Sequence, residues 1–205
     1  MESLSATPSS GRPKGSFFHL LWAGLFMLTG LCILIYLGND RQKVVGQPVF
    51  DLDIKPLAHT QTPFDMKDAR GKLTLLHFWG PWCPPCRVEY PEIEKLASRY
   101  ADATQVCIVS ISCAATAPDD VAKLKEETLA MLSGSTATHP IYCDPVEYSR
   151  VRIAKLLGQR GFSYPMSILL DNQGQVLDYW IRPTYPGELD NSIQAALSKT
   201  GKKSK

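Results

Sequence analysis

Leu73-Thr-Leu-Leu-His-Phe-Trp-Gly-Pro-Trp-Cys-Pro-Pro-Cys-Arg-Val-Glu-Tyr-Pro-Glu-Ile-Glu-Lys-Leu-Ala97 decides how this chain is read. Leu73 to Trp79 is an apolar run of strand type, and Arg87 to Ala97 reads as a helix that Pro91 should kink. Between them stands Cys83-Pro-Pro-Cys86. Two cysteines at this spacing can close a small disulfide and reopen it, and a strand-to-helix junction is the context expected of a redox motif. The attacking species in that chemistry is a thiolate. At a helix N-terminus the dipole and the free N–H groups favour negative charge on Cys83.

Outward from the motif, strands alternate with helices. Val49 to Ile54 alternates apolar and polar residues like a half-buried strand, and Phe64 to Met66 suggests a short strand before a turn at 68–72. Gln105 to Ser112 is a second buried strand. Pro118 to Leu132 reads as a helix, His139 to Cys143 as a short strand, and Val146 to Leu157 as a helix stopped by Gly158. Met166 to Asp171, Asn172-Gln-Gly174 and Gln175 to Ile181 form a β-hairpin pattern, and Glu188 to Leu197 closes the chain as a helix. This order predicts an α/β domain over 47–198, with a mixed sheet and helices on both faces.

The chain has 205 residues, 44% hydrophobic and 20% charged, with a net charge of +2, which gives no argument for a nucleic-acid partner. Residues 1–16 are polar. Phe17 to Leu37 is apolar almost throughout, and 21 residues make a helix of roughly 31 Å, enough to cross a bilayer. The run is long for a cleavable signal and no Ala-x-Ala site follows it, so an uncleaved anchor is the expectation. Cys32 follows Leu31, too large a residue for a lipoprotein signal, and reads as part of the apolar span. Arg12 and Lys14 before the run balance Arg41 and Lys43 after it, so charge alone leaves the orientation open. Residues 38–46 read as a linker and 199–205 as a basic, flexible tail.

The ordering resembles the thioredoxin fold, and more narrowly the membrane-anchored TlpA/ResA/CcmG(DsbE)-type thiol–disulfide oxidoreductases. The resemblance covers roughly residues 46–198. It rests on Gly46-Gln-Pro-Val-Phe50, Gly71-Lys72, Phe78-Trp79, Trp82-Cys-Pro-Pro-Cys86, Glu89, Pro91, Tyr164-Pro165 and Asp171-x-x-Gly174. It implies that Cys83 is the exposed nucleophile and Cys86 the resolving thiol. It makes Pro165 a cis-proline facing the disulfide, with Tyr164 offering backbone groups to a bound polypeptide, and Glu89 an acid that modulates the thiols. The implied setting is the bacterial inner membrane, with the catalytic domain on the periplasmic side. There a disulfide-containing protein would be the substrate and a membrane thiol donor the reductant. The commonest duty would be cytochrome c maturation, with no cofactor. An oxidising compartment is also where such substrates persist.

Other readings stand beside these. Zinc needs four ligands in a closed structural site, and Cys107, Cys113, Cys143, His77 and His139 show no second paired spacing, so no metal is expected. Trp82 shields one side of the dithiol or is plain core. Glu89 modulates it or is a solvated helix residue. His77, where relatives carry Asp or Asn, relays a proton to Cys86 or is a hydrogen-bonded core residue. Cys113 and Cys143 fall at predicted strand ends and either form a second bridge or remain two buried thiols. Pro84 and Pro85 have no N–H to give, leaving the Cys86 N–H as the main backbone donor to the Cys83 sulfur, which favours a reducing couple. The alternatives are a disulfide oxidant or isomerase, or a non-enzymatic copper- or haem-handling chaperone using both sulfurs as soft ligands.

Overall fold

The computed structural model describes residues 16–49, 51–135 and 138–203. It divides into two units, one ending at Gln42 and one beginning at Lys43. The first is the greater part of helix α1 (Ser16–Val44). The second carries β1 (Lys55–Ala58), β2 (Leu73–Trp79), α2 (Pro84–Arg99), β3 (Val106–Ser112), α3 (Val121–Met131), β4 (Ile141–Cys143), α4 (Tyr148–Leu156), β5 (Met166–Leu170), β6 (Val176–Trp180) and α5 (Glu188–Lys203).

One six-stranded sheet runs β1-β4-β3-β2-β5-β6. β2, β3 and β4 are parallel, and the other pairs are antiparallel. Every residue of β2 is buried, as a central strand covered on both faces requires. Alternation along it feeds two cores. Leu76 and Phe78 pack with Val109, Ile111, Ile168, Ile153 of α4 and Leu157 at its C-cap. Leu75, on the other face, packs with Ile93 and Leu96 of α2 and with Leu189 and Ile193 of α5. Trp79 joins Tyr90 of α2 and Leu124 of α3 in a third cluster that also contains Cys83 and Cys86. The sheet is therefore mixed with helices on both faces, and the dithiol lies where the parallel strands end.

Several local expectations change. No strand forms among the described residues 49 and 51–54. Asp51 is left-handed (φ 49°), so extended pairing stops at a single bridge between Pro48 and Gln175, flanked by the Val49 N–H donating to Gly174 O. Residues 64–66 are not a strand either, and the turn follows at 66–71. The strand on that side is β1, whose Pro56 is tolerated because β1 is the edge. Helix α3 starts later than Pro118 because Asp120 caps it, accepting the Lys123 N–H. Helix α4 starts at Tyr148, after a left-handed Glu147. The expected linker is helical up to Val44, which is buried in the first core, and the Gly46 N–H donates to Val176 O. The expected flexible tail is helical to Lys203, with 204–205 outside the described residues.

The polar segment 1–16 lies outside the described residues except for Ser16. Among the described residues, no helix is long and apolar enough to cross a membrane. The backbone of α1 is helical through all of 17–37, but the side chains of Phe17, Phe18, Leu20, Leu21 and 34–37 fall outside the description.

Leu76 is fully buried at the centre of the sheet. Leu76→Ala should cost about 2–5 kcal/mol in urea unfolding. Val151→Ala, on the exposed side of α4, should stay within about 0.5 kcal/mol.

Candidate active site

β2 delivers the chain to Gly80, and the peptide turns into α2 with Cys83 as the N-cap. Pro84 and Pro85 occupy the first two helical positions, where a missing N–H costs nothing. The first motif donor is thus the Cys86 N–H, which lies 3.3 Å from the Cys83 sulfur. Cys83 and Cys86 are joined as a disulfide, with Cα atoms 5.3 Å apart. Cys86 is fully buried, one turn into the helix. Cys83 is only 3% exposed, which corrects the expectation of an open nucleophile. Its sulfur is turned into the first turn of α2, against an apolar cluster that includes Leu57, Trp79 and Leu124.

Two aromatic rings form a wall beside it. Trp82 is 42% exposed and is not core. Its indole N–H donates to Cys113 O at 2.9 Å, and its ring lies over Gly80, where a Cβ would also come within 2.9 Å of Cys113 O. The Tyr164 ring meets Trp82 edge-on, with centroids 5.4 Å apart. The Tyr164–Pro165 bond is cis, as the resemblance implied, and Tyr164 packs against the cluster that holds the disulfide.

Glu89 is 4% exposed, so the solvated reading of it fails. It lies on the buried stripe of α2 with Cys86, Tyr90 and Ile93. Its Oε1 accepts the Thr184 backbone N–H at 2.8 Å and also the Thr184 hydroxyl, while its Oε2 is buried without a partner. Burial raises its pKa, against the lowering effect of the Thr184 bonds and of Arg182.

His77 is fully buried in β2, opposite Ser110 and Ser167 in register. Its Nδ1 lies 2.9 Å from Ser167 Oγ, and its Nε2 has no partner. The hydrogen bond goes to a serine, as in the core reading. Burial, and secondarily the charge of His139, lowers its pKa to about 3. His139, bonded to Tyr90 Oη at 3.2 Å, is lowered to about 4 by burial and by His59.

Cys113 and Cys143 are free and fully buried. Ser112 stands opposite Cys143 in register, so Cys113 is one residue beyond and its side chain belongs to the other face. Cys113 packs in the core with Phe78 and Ile111, and Cys143 in the cluster with Trp79 and Ile141. Cys107 and Cys32 are also free.

Sequence reasoning missed one group. Arg150 is 2% exposed, and its guanidinium reaches Asp119, Asp144 and Tyr164. The signal was present, because Arg150 precedes Ile153, Ala154 and Leu157 by three, four and seven residues and so lies on the buried stripe of α4. Thr184 carried no signal, since it meets Glu89 only through the fold.

The AhpC/TSA family pattern matches residues 45–179, from the start of the globular unit almost to the end of β6. The chain belongs to the AhpC/TSA family. It is 29% identical over 148 residues to the thioredoxin-like protein YneN of Bacillus subtilis, covering 72% of this chain and 78% of that protein. It is 31% identical over 84 residues to the thiol:disulfide interchange protein DsbE of Pseudomonas aeruginosa, covering 39% of this chain and 47% of the relative, so this match spans about half of that protein. Among solved structures, a thiol:disulfide interchange protein of the thioredoxin family from Chlorobium tepidum TLS superposes with a TM-score of 0.56 at 19% identity, over 72% of this chain and 99% of that one. That likeness shows the thioredoxin-like fold.

Two pH dependences follow. A histidine whose folded pKa is depressed destabilises the fold as pH falls below its unfolded value of about 6.5, because only the unfolded chain takes up the proton. His77→Asn should therefore lose about 2–3 kcal/mol less stability than the parent between pH 7 and 4.5, measured by urea unfolding at each pH. Glu89 has the opposite sign. Its raised pKa stabilises the protonated form, and that contribution is lost as pH rises through the folded pKa. Glu89→Gln, which keeps an acceptor for Thr184, should gain stability relative to the parent on going from pH 4 to pH 8.

Proposed function

We propose that this protein is a thiol–disulfide oxidoreductase that reduces disulfides of polypeptides outside the cytoplasm, tethered to the membrane by its N-terminal helix. The observation that carries the chemistry is the Cys83–Cys86 pair at the N-terminus of α2, beside a cis Tyr164–Pro165 edge. In the reduced form, the Cys83 thiolate attacks one sulfur of a substrate disulfide. The Cys83–substrate bond forms, the substrate S–S bond breaks, and the leaving thiolate takes a proton. The Cys86 thiolate then attacks the Cys83 sulfur, closing Cys83–Cys86 and releasing the second substrate thiol. Two electrons pass from the dithiol to the substrate, and a thiol donor at the membrane restores the pair.

The reducing direction rests on the donors at Cys83. Pro84 and Pro85 give none, and the Cys86 N–H is the donor within the motif. Strongly oxidising relatives of this fold stabilise their thiolate far more. Tethering is supported by the apolar run Phe17–Leu37 and by the unbroken helix Ser16–Val44. A role in cytochrome c maturation, reducing the haem-binding cysteines of an apocytochrome in the periplasm, is the specific duty we favour. DsbE is among the names its relatives carry.

Cys86→Ser should accumulate mixed disulfides between Cys83 and exported proteins, visible on non-reducing gels and absent in Cys83→Ser. The measured potential should lie well below the oxidising extreme of about −120 mV, and a value there would assign the protein to disulfide formation instead. After an alkaline wash the full chain should stay with membranes, and a variant lacking residues 17–37 should not.

A further inference from the structure

Arg150 is an expensive residue to bury. Taking a guanidinium from water is costly, and a well-packed apolar side chain in its place is often no less stable. Its stem lies in α4, but its donors reach three other segments. Nε donates to Asp144 Oδ2 at 3.3 Å, and one terminal nitrogen donates to Asp119 Oδ1 and Asp144 O, both at 2.8 Å. The other terminal nitrogen leaves this ion cluster and donates to Tyr164 Oη at 2.8 Å. It also lies 3.7 Å from Glu147.

Tyr164 is the residue before cis-Pro165, and its half-buried ring abuts Trp82. Trp82 is held from the same polar group by another route. Its N–H donates to Cys113 O, and the next residue, Ala114, donates its backbone N–H to Asp119 Oδ2 at 3.3 Å. Both rings of the wall beside the disulfide are thus anchored on one buried cluster, Tyr164 through Arg150 and Trp82 through Asp119. A purely structural ion cluster has no need to reach either ring.

We propose that Arg150 is a positioning residue that, with Asp119 and Asp144, sets the Trp82–Tyr164 wall as a docking edge for polypeptide disulfides carrying an aromatic or apolar side chain beside the reacting cysteine. This rests on the reductase reading above. The wall offers two ring surfaces next to Cys83, and a substrate ring stacks there only while both are held still. Lysine at 150 keeps the charge among the aspartates but has no planar fork to serve Asp119, Asp144 and Tyr164 together.

The test uses the full chain and two disulfide-linked model peptides that differ only in Phe or Ser beside the cysteine. The parent should prefer the Phe peptide about 5–10-fold in kcat/KM, through KM, the size of effect one oriented contact gives. Arg150→Lys should reduce the preference below about twofold, with the Cys83–Cys86 potential unchanged. If Arg150→Lys does not fold, Tyr164→Phe decides, because it severs the link to Arg150 by one hydroxyl and should level the two peptides in the same way. No preference in the parent, a preference retained in the deciding variant, or a shifted potential overturns the proposal. Cys83→Ser must abolish turnover of both peptides. Turnover that survives it overturns the reductase reading and this inference with it, whereas failure confined to the Phe/Ser ratio overturns the inference alone.

Discussion

A sulfur at the N-cap of a helix is the constraint around which this molecule is arranged. Cys83 replaces the oxygen that usually caps a helix, and the Cys86 N–H points at it. For that cap to do redox chemistry, the helix start must be held rigidly at the end of a buried strand, in apolar surroundings. β2 supplies the strand, and its two faces pack into separate cores that fix its direction. The short connection Gly80-Pro81-Trp82 then leaves the helix little freedom in where it starts.

Around the cap, the fold spends buried polar groups where apolar ones would pack more cheaply. These are His77 with Ser167, Tyr90 with His139, Glu89 with Thr184, and Arg150 with its aspartates. Each ties together segments far apart in sequence. Glu89 reaches Thr184, 95 residues away, and so joins the second turn of α2 to the loop between β6 and α5. Unpaired buried polar atoms are costly, so such pairs lock one arrangement against its near alternatives. Three of these side chains also carry a buried atom without a partner, His77 Nε2, Glu89 Oε2 and His139 Nδ1. Their perturbed pKa values follow from burial in the first place.

Where elements carried strong periodicity, the reading of the sequence and the fold agree. β2, β3 and the β5–β6 hairpin fall within a residue or two of their patterns, and for β2 and β5 the reason is that a strand buried on both faces must be apolar along its length. The misreadings cluster where a single residue controls the backbone. The alternation at 49–54 looks like a strand, yet the left-handed Asp51 interrupts it. Asp120, rather than Pro118, starts α3 because its side chain is the one that reaches a free N–H. The exposure of Cys83 was misjudged because the motif says nothing of which side chains close over the sulfur.

By itself the sequence determined the redox pair, its order on the chain and the alternation of strands and helices, because those depend on spacing and on hydrophobic period. The cis edge and the buried Glu89 were within reach of it through family resemblance or helical stripe. Only the tertiary structure decided which groups meet. It put Cys113 and Cys143 on opposite faces of adjacent strands as free thiols, gave His77 a serine for a partner, and ran Arg150 from α4 to the tyrosine beside the site. The reason is that face and register are collective properties. A side chain's partner across a sheet is set by how neighbouring strands align, and one residue along a strand turns a sulfur from one core to the other.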